Sequence, residues 1–124
     1  MPFSVQWVDA EKTLMRCHIE APWTWDEFDE AWRQFYEMGT STQRQVNCEV
    51  DAHSIGLLPS NALRVIRERY SFLPPNLCMM VVVDAPTRLK VIVEVLSLIR
   101  PETFQRYRFV PSFDEANRLL TTSA

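Results

Sequence analysis

Residues 46–70 read VNCEVDAHSIGLLPSNALRVIRERY. Val46, Cys48 and Val50 alternate with polar neighbours, which is the period of a strand, and the strand ends at Asp51-Ala52-His53. A loop follows that carries Gly56, one of only two glycines in the chain, and it delivers Pro59, Ser60 and Asn61 to the start of a helix. Leu63, Ile66, Tyr70 and Leu73 recur at helical spacing as the buried side, Arg64, Arg67 and Arg69 point elsewhere, and Pro74-Pro75-Asn76 is the expected end. A strand, a loop and a helix in that order form half of a βαβ unit, so the sheet is at least partly parallel. The unpaired N–H groups at the helix start favour an anion. The candidate binding surface therefore comprises His53, Ser54, Pro59, Ser60 and Asn61, with Arg64 and Arg67 behind them.

Downstream, Leu77 to Val83 (LCMMVVV) is a continuous apolar run, the pattern of a strand covered on both faces and the candidate for the centre of the sheet. Asp84-Ala85-Pro86-Thr87 is expected to cap a third helix that runs to about Arg100 and stops at Pro101. Leu89, Ile92, Val93, Leu96 and Ile99 form its inner stripe, and Val91, Val95 and Leu98 form a second one. Tyr107 to Val110 reads as a last short strand, and Ser112 with Glu115 caps a final helix ending near Thr121.

Upstream, Phe3, Val5 and Trp7 alternate with Ser4 and Gln6, and residues 14–21 alternate again after the polar turn 9–12, as in an antiparallel hairpin. Thr24 and Glu27 form a capping box for a first helix carrying Phe28, Ala31, Trp32, Phe35 and Met38 on one face, with Gly39 as its stop. The order strand, strand, helix, strand, helix, strand, helix, strand, helix predicts one α/β domain over residues 1–124. Its sheet is mostly parallel with an antiparallel N-terminal edge hairpin, and four helices pack on it.

With 47% hydrophobic and 23% charged residues among 124, the composition is that of a globular domain able to bury a core. A net charge of −3 argues against general nucleic-acid binding, although 11 of the 13 basic residues are arginine. Cys17, Cys48 and Cys78 leave one thiol over in any pairing and show no C-x-x-C spacing, so buried reduced thiols are expected rather than a zinc site or a disulfide framework. No basic segment followed by an apolar run opens the chain, and no run approaches the roughly 20 residues that span a bilayer. A cytoplasmic protein without stable membrane insertion is expected.

The element order resembles that of the STAS domains, the fold of the bacterial anti-sigma factor antagonists. The resemblance covers nearly the whole chain as topology and residues 50–63 as motif. In that family the third strand ends in an Asp, and an Asp-Ser-Ser-Gly-like turn opens the next helix, its first serine being phosphorylated by a partner kinase. Here Asp51 ends the strand, and Ser60 in Leu58-Pro59-Ser60-Asn61-Ala62-Leu63 stands where the phosphorylated serine lies. Pro59, Asn61 and Ala62 replace the family's Asp, second Ser or Thr, and Gly. The resemblance implies a non-enzymatic module in a bacterial-type regulatory system, docking a kinase-like regulator or a second copy of itself. It also admits a small-ligand or lipid carrier like the fold's lipid-binding relatives, which would use an apolar pocket between the third helix and the sheet.

Several residues carry two readings. Ser60 is a phosphorylation candidate or simply the helix cap, its hydroxyl satisfying a free N–H. His18 and His53 are the only histidines, and no third or fourth ligand converges on either at a recognised spacing, so no metal or cofactor is expected. No G-x-S-x-G elbow surrounds Ser60 and no histidine follows it, so no catalytic residue is assigned. Trp32 is expected in the core, and one of Trp23 and Trp25 is expected to be partly exposed. Val91, Val95 and Leu98 exceed what a helix with one buried face needs. They mark an interface, including a homodimer through residues 87–100, unless the last helix covers them.

Overall fold

The computed structural model of the chain describes residues 2–122. The chain runs β1 (Phe3–Trp7), β2 (Leu14–Ile19), α1 (Trp25–Thr40), β3 (Val46–Asp51), α2 (Ala62–Arg69), β4 (Leu77–Val83), α3 (Thr87–Ile99), α4 (Pro101–Phe104), β5 (Tyr107–Val110) and α5 (Phe113–Thr122). The five strands form one sheet in the order β1-β2-β3-β4-β5. β1 and β2 are antiparallel, with Val5 opposite Cys17, and every other pair is parallel. This is the expected α/β domain with a mixed sheet and an antiparallel edge hairpin.

Helix α1 begins where the capping box sets it. The Thr24 hydroxyl accepts from the Glu27 amide at 3.2 Å, and the Glu27 carboxylate accepts from the Thr24 amide at 3.0 Å. Phe35 of α1 is buried against Met15, Val46, Cys48, Met80 and Val82 of the sheet. Ala62 of α2 packs with Ile92, Val93 and Leu96 of α3 and with Phe104. On the opposite face of the sheet, Met79, Val81 and Val83 meet Ala116, Leu119 and Leu120 of α5. The three crossover helices thus share one face and α5 takes part of the other.

Several local expectations need correction. Five helices are present rather than four, because Pro101 ends α3 and also opens the one-turn α4, its missing N–H costing nothing at a first helical position. Phe104 of that turn is buried where the inner stripe of α3 would have continued, and Ile99 is left exposed. Helix α2 stops at Arg69 rather than near Leu73, since the ring of Pro74 and the bias it imposes on Leu73 exclude helix over this stretch. Its buried residues are Ala62 and Val65, while Leu63 is exposed. No side chain caps α3, whose first amides reach the Pro86 carbonyl instead. Gly39 is not a stop but lies inside α1, buried against Pro74. β4 is an interior strand with β3 at the centre, and it carries an irregularity: Val46 pairs with Leu77 but Asn47 with Met79. The extra residue is Cys78, which is exposed, unlike the buried thiol expected. It also resets the alternation, so that Leu77, Met80 and Val82 share the α1–α3 side.

Beside α5, the Arg16 Nε donates to Oε1 of the fully buried Glu49 at 2.8 Å, and the guanidinium lies 6.0 Å from the Phe113 ring. Glu49 Oε2 and Asn47 Oδ1 have no hydrogen-bond partner among the described residues.

A Cβ added at Gly39 would lie 2.9 Å from the Pro74 Cγ, and Pro74 is itself fully buried. Gly39→Ala should therefore lower stability by roughly 1–3 kcal/mol despite the better helix propensity of alanine. Urea unfolding followed by circular dichroism measures this, and an unchanged midpoint would show that the Pro74 ring yields.

Candidate functional site

The loop between β3 and α2 is held from both sides. From the β2–α1 connection, the Ala21 amide donates to the Ser54 carbonyl at 2.8 Å, the Trp23 indole to the Ile55 carbonyl at 2.9 Å, and the Trp25 indole to Asn61 Oδ1 at 3.2 Å. From the first turn of α3, the Arg88 guanidinium donates to the carbonyls of Leu58, Pro59 and Ser60 at 2.6, 3.0 and 3.3 Å. Gly56 has φ of +75°, and a Cβ there would lie 2.8 Å from the Ala21 Cβ, so the loop needs glycine for both backbone shape and closeness.

Ser60 is exposed and does not cap α2. The cap position belongs to Asn61, whose side-chain oxygen is engaged by Trp25 instead of a helix N–H. The Ser60 hydroxyl makes no hydrogen bond among the described residues. Pro59 and Ser54 are half-buried. Arg64 and Arg67 lie on the outer side of α2, each 3.7 Å from a Glu68 carboxylate oxygen, so part of their charge is already balanced.

On α3, Val91, Val95 and Leu98 are 49%, 40% and 85% exposed. The last helix does not cover them, because α5 packs on the far face of the sheet. Arg88 precedes Val91 by three residues and Val95 by seven, which places it on the same stripe. The residue that pins the loop thus heads the apolar stripe, and Leu57, 98% exposed, lies in that loop. Loop and helix adjoin one another through Arg88.

The histidines are each paired with an aspartate. His18 Nδ1 lies 3.0 Å from Asp51 Oδ2, and His53 Nδ1 lies 2.6 Å from Asp84 Oδ2. Asp84 adopts φ of +55° at the end of β4, so this pair ties together the loops after β3 and β4. The hydrogen bond to Asp84, and then its charge, raise the His53 pKa above the ordinary 6.5. Among the described residues no group of three or more His, Cys, Asp or Glu side chains can hold a metal.

Between the sheet and α1, α2 and α3 lies a half-open cavity of about 110 Å³. Val5, Cys17, Val50 and Val82 form its floor; Phe28, Trp32 and Tyr70 form one wall; Leu89 and Val93 of α3 form another. Trp23 and Trp25, both half-buried, complete it. The rings pack edge to face and tilted, with Phe28 and Tyr70 centroids 4.7 Å apart and Trp32 and Tyr70 5.1 Å apart.

Reading the sequence alone missed Arg88, and the cavity entered only as the apolar pocket that a carrier of this fold would use. Arg88 carries no motif, and its only signal is a cation in the first turn of a helix, where the dipole disfavours it. The cavity's signal is the pair of small residues Ala31 and Ala52, which line it among large neighbours.

Arg88→Ala should speed amide hydrogen exchange over residues 58–62 while leaving the sheet amides protected; uniform protection would show that the two tryptophans hold the loop unaided. A raised pKa means that the folded state holds the His53 proton more tightly. The pair's contribution to stability is therefore fully present below pH 6.5 and is lost as pH rises through the raised value. In Asp84→Asn, the His53 titration followed by NMR should move down towards the ordinary value, and a midpoint unchanged from wild type would remove the pair as its cause.

No protein family, curated protein or solved structure matches the chain, so the geometry of this surface carries the functional reading.

Proposed function

We propose that this chain is a non-enzymatic protein-interaction module of STAS-like architecture, acting in a bacterial-type regulatory system. Its working surface is the 53–61 loop, the N-terminal part of α2 and the outer stripe of α3. The observation that carries the reading is the exposed apolar stripe Val91, Val95 and Leu98, continuous through Arg88 with a loop held on both sides. Apolar side chains on an ordered surface recover free energy only when another surface covers them, and a held loop loses little entropy on docking. The partner is a protein: a second copy of this chain or a kinase-like regulator. Ser60, exposed and not engaged in capping, is the residue such a kinase would modify, with Arg64 a turn into α2 and Arg88 at its own carbonyl to receive the charge.

Hydrolytic or transfer chemistry is less well supported, since neither histidine makes a hydrogen bond to Ser60 or to another nucleophile among the described residues. A lipid carrier is also less well supported. Ligand pockets for such molecules run to roughly 300–1,000 Å³, whereas the cavity holds about 110 Å³.

Native mass spectrometry of the protein purified from the cells that make it tests the reading. A complex with itself or with a second polypeptide is expected, and Val95→Glu or Leu98→Glu should dissociate it by tenfold or more in Kd. A complex that survives both substitutions unchanged, or a monomer carrying a lipid-sized adduct, overturns the proposal.

A further inference from the structure

We infer that the cavity beneath α1 and α3 is a binding site for one small apolar molecule of the monocyclic aromatic class. This goes beyond the docking reading and does not depend on it, since the cavity is lined from inside the fold and the docking stripe faces out.

Three observations converge. The first is volume: about 110 Å³ is close to the size of a cavity known to hold benzene, near 150 Å³. It is far too small for an acyl chain or a nucleotide. The second is an apolar lining. An ordered water needs two to four polar partners, and the polar groups of the aromatic wall are engaged elsewhere. The Trp23 indole N–H serves the Ile55 carbonyl, the Trp25 indole N–H serves Asn61, and the Tyr70 hydroxyl donates to Asp29. What they turn towards the cavity is ring and not donor. The third is the character of the lining. Phe28 and Trp32 stack at an interplanar angle of 17°, Tyr70 lies tilted against both, and a further ring gains by stacking on or meeting the edge of such a wall, to which Met80 adds a thioether. Ala31 and Ala52 are the residues whose small side chains leave the space.

Toluene is the probe. Titrated into the wild-type protein, it should produce a saturable change in tryptophan emission, because Trp23, Trp25 and Trp32 line the cavity. It should also raise the thermal midpoint, as any ligand specific to the folded state does. Cyclohexane should bind several-fold more weakly. Ala52→Leu and Ala31→Leu, which fill the space, should each weaken toluene at least tenfold, while Val95→Glu on the outer stripe should leave the affinity unchanged. Methyl NMR of the wild type locates the site without any variant: the toluene-induced shifts should fall on Val5, Val50, Val82 and Leu89. The inference is overturned if wild type gives no saturable response. It is equally overturned if the shifts fall on Val91, Val95 and Leu98, or if the filled variants that keep a native spectrum bind toluene as well as wild type. Failure of toluene with a partner complex still seen sinks this inference alone, and loss of the complex with toluene binding intact sinks only the docking reading.

Discussion

A crossover between parallel strands is right-handed almost without exception. In this chain each new strand is added on the same side of the last, in the order β1-β2-β3-β4-β5, so the rule sends every crossover helix to one face. Most other features follow. The face that receives α1, α2 and α3 takes the bulk of the aromatic residues, because three helices must be packed at once against a twisted sheet. Four tryptophans and phenylalanines at the start of α1 (Trp23, Trp25, Phe28 and Trp32) fill the wedge between the hairpin and α2, with Tyr70 closing it.

The other face is covered only where α5 returns over β4 and β5. Towards β1 the outward positions are Ser4, Gln6 and His18, which water can satisfy. Glu49 sits at the boundary between the two halves, fully enclosed, with the partly exposed Arg16 as its ion-pair partner among the described residues. A buried ion pair contributes little net stability once desolvation is counted, but it penalises any register that separates its members. Arg16 lies directly opposite Glu49 in the parallel β2–β3 pairing, so the ion pair and the register support one another.

Much of this architecture was legible in the sequence, for identifiable reasons. The hairpin showed through period-two alternation, α1 through a capping box that forms as written, and β4 through its apolar run. The errors were local and came from tertiary contacts that override local signals. Gly39 has the composition of a helix stop but serves as a seat for Pro74, a contact between residues 35 apart in sequence. Cys78 looks like one more buried position until an unpaired residue in β4 turns it outward. Ser60 has the chemistry of a cap, yet the indole of Trp25 selects Asn61 for the adjoining position and α2 starts a residue later than capping by Ser60 would require. The exposure of Val91, Val95 and Leu98 could be read because amphipathicity is written in one dimension. Arg88 and the lining of the cavity could not, because each is defined by what three separate segments do together.

Helix α3 has two sides with different neighbours. Leu89 and Val93 look into the cavity, and Val91 and Val95 look out on the exposed stripe, each two positions further along the same 13-residue helix. Thermodynamic linkage then applies in both directions: if a molecule in the cavity shifts α3 by a fraction of an ångström and alters its affinity for whatever covers the stripe, that cover alters affinity for the molecule by the same factor. Inside and outside are two faces of one element, with a single helix between them.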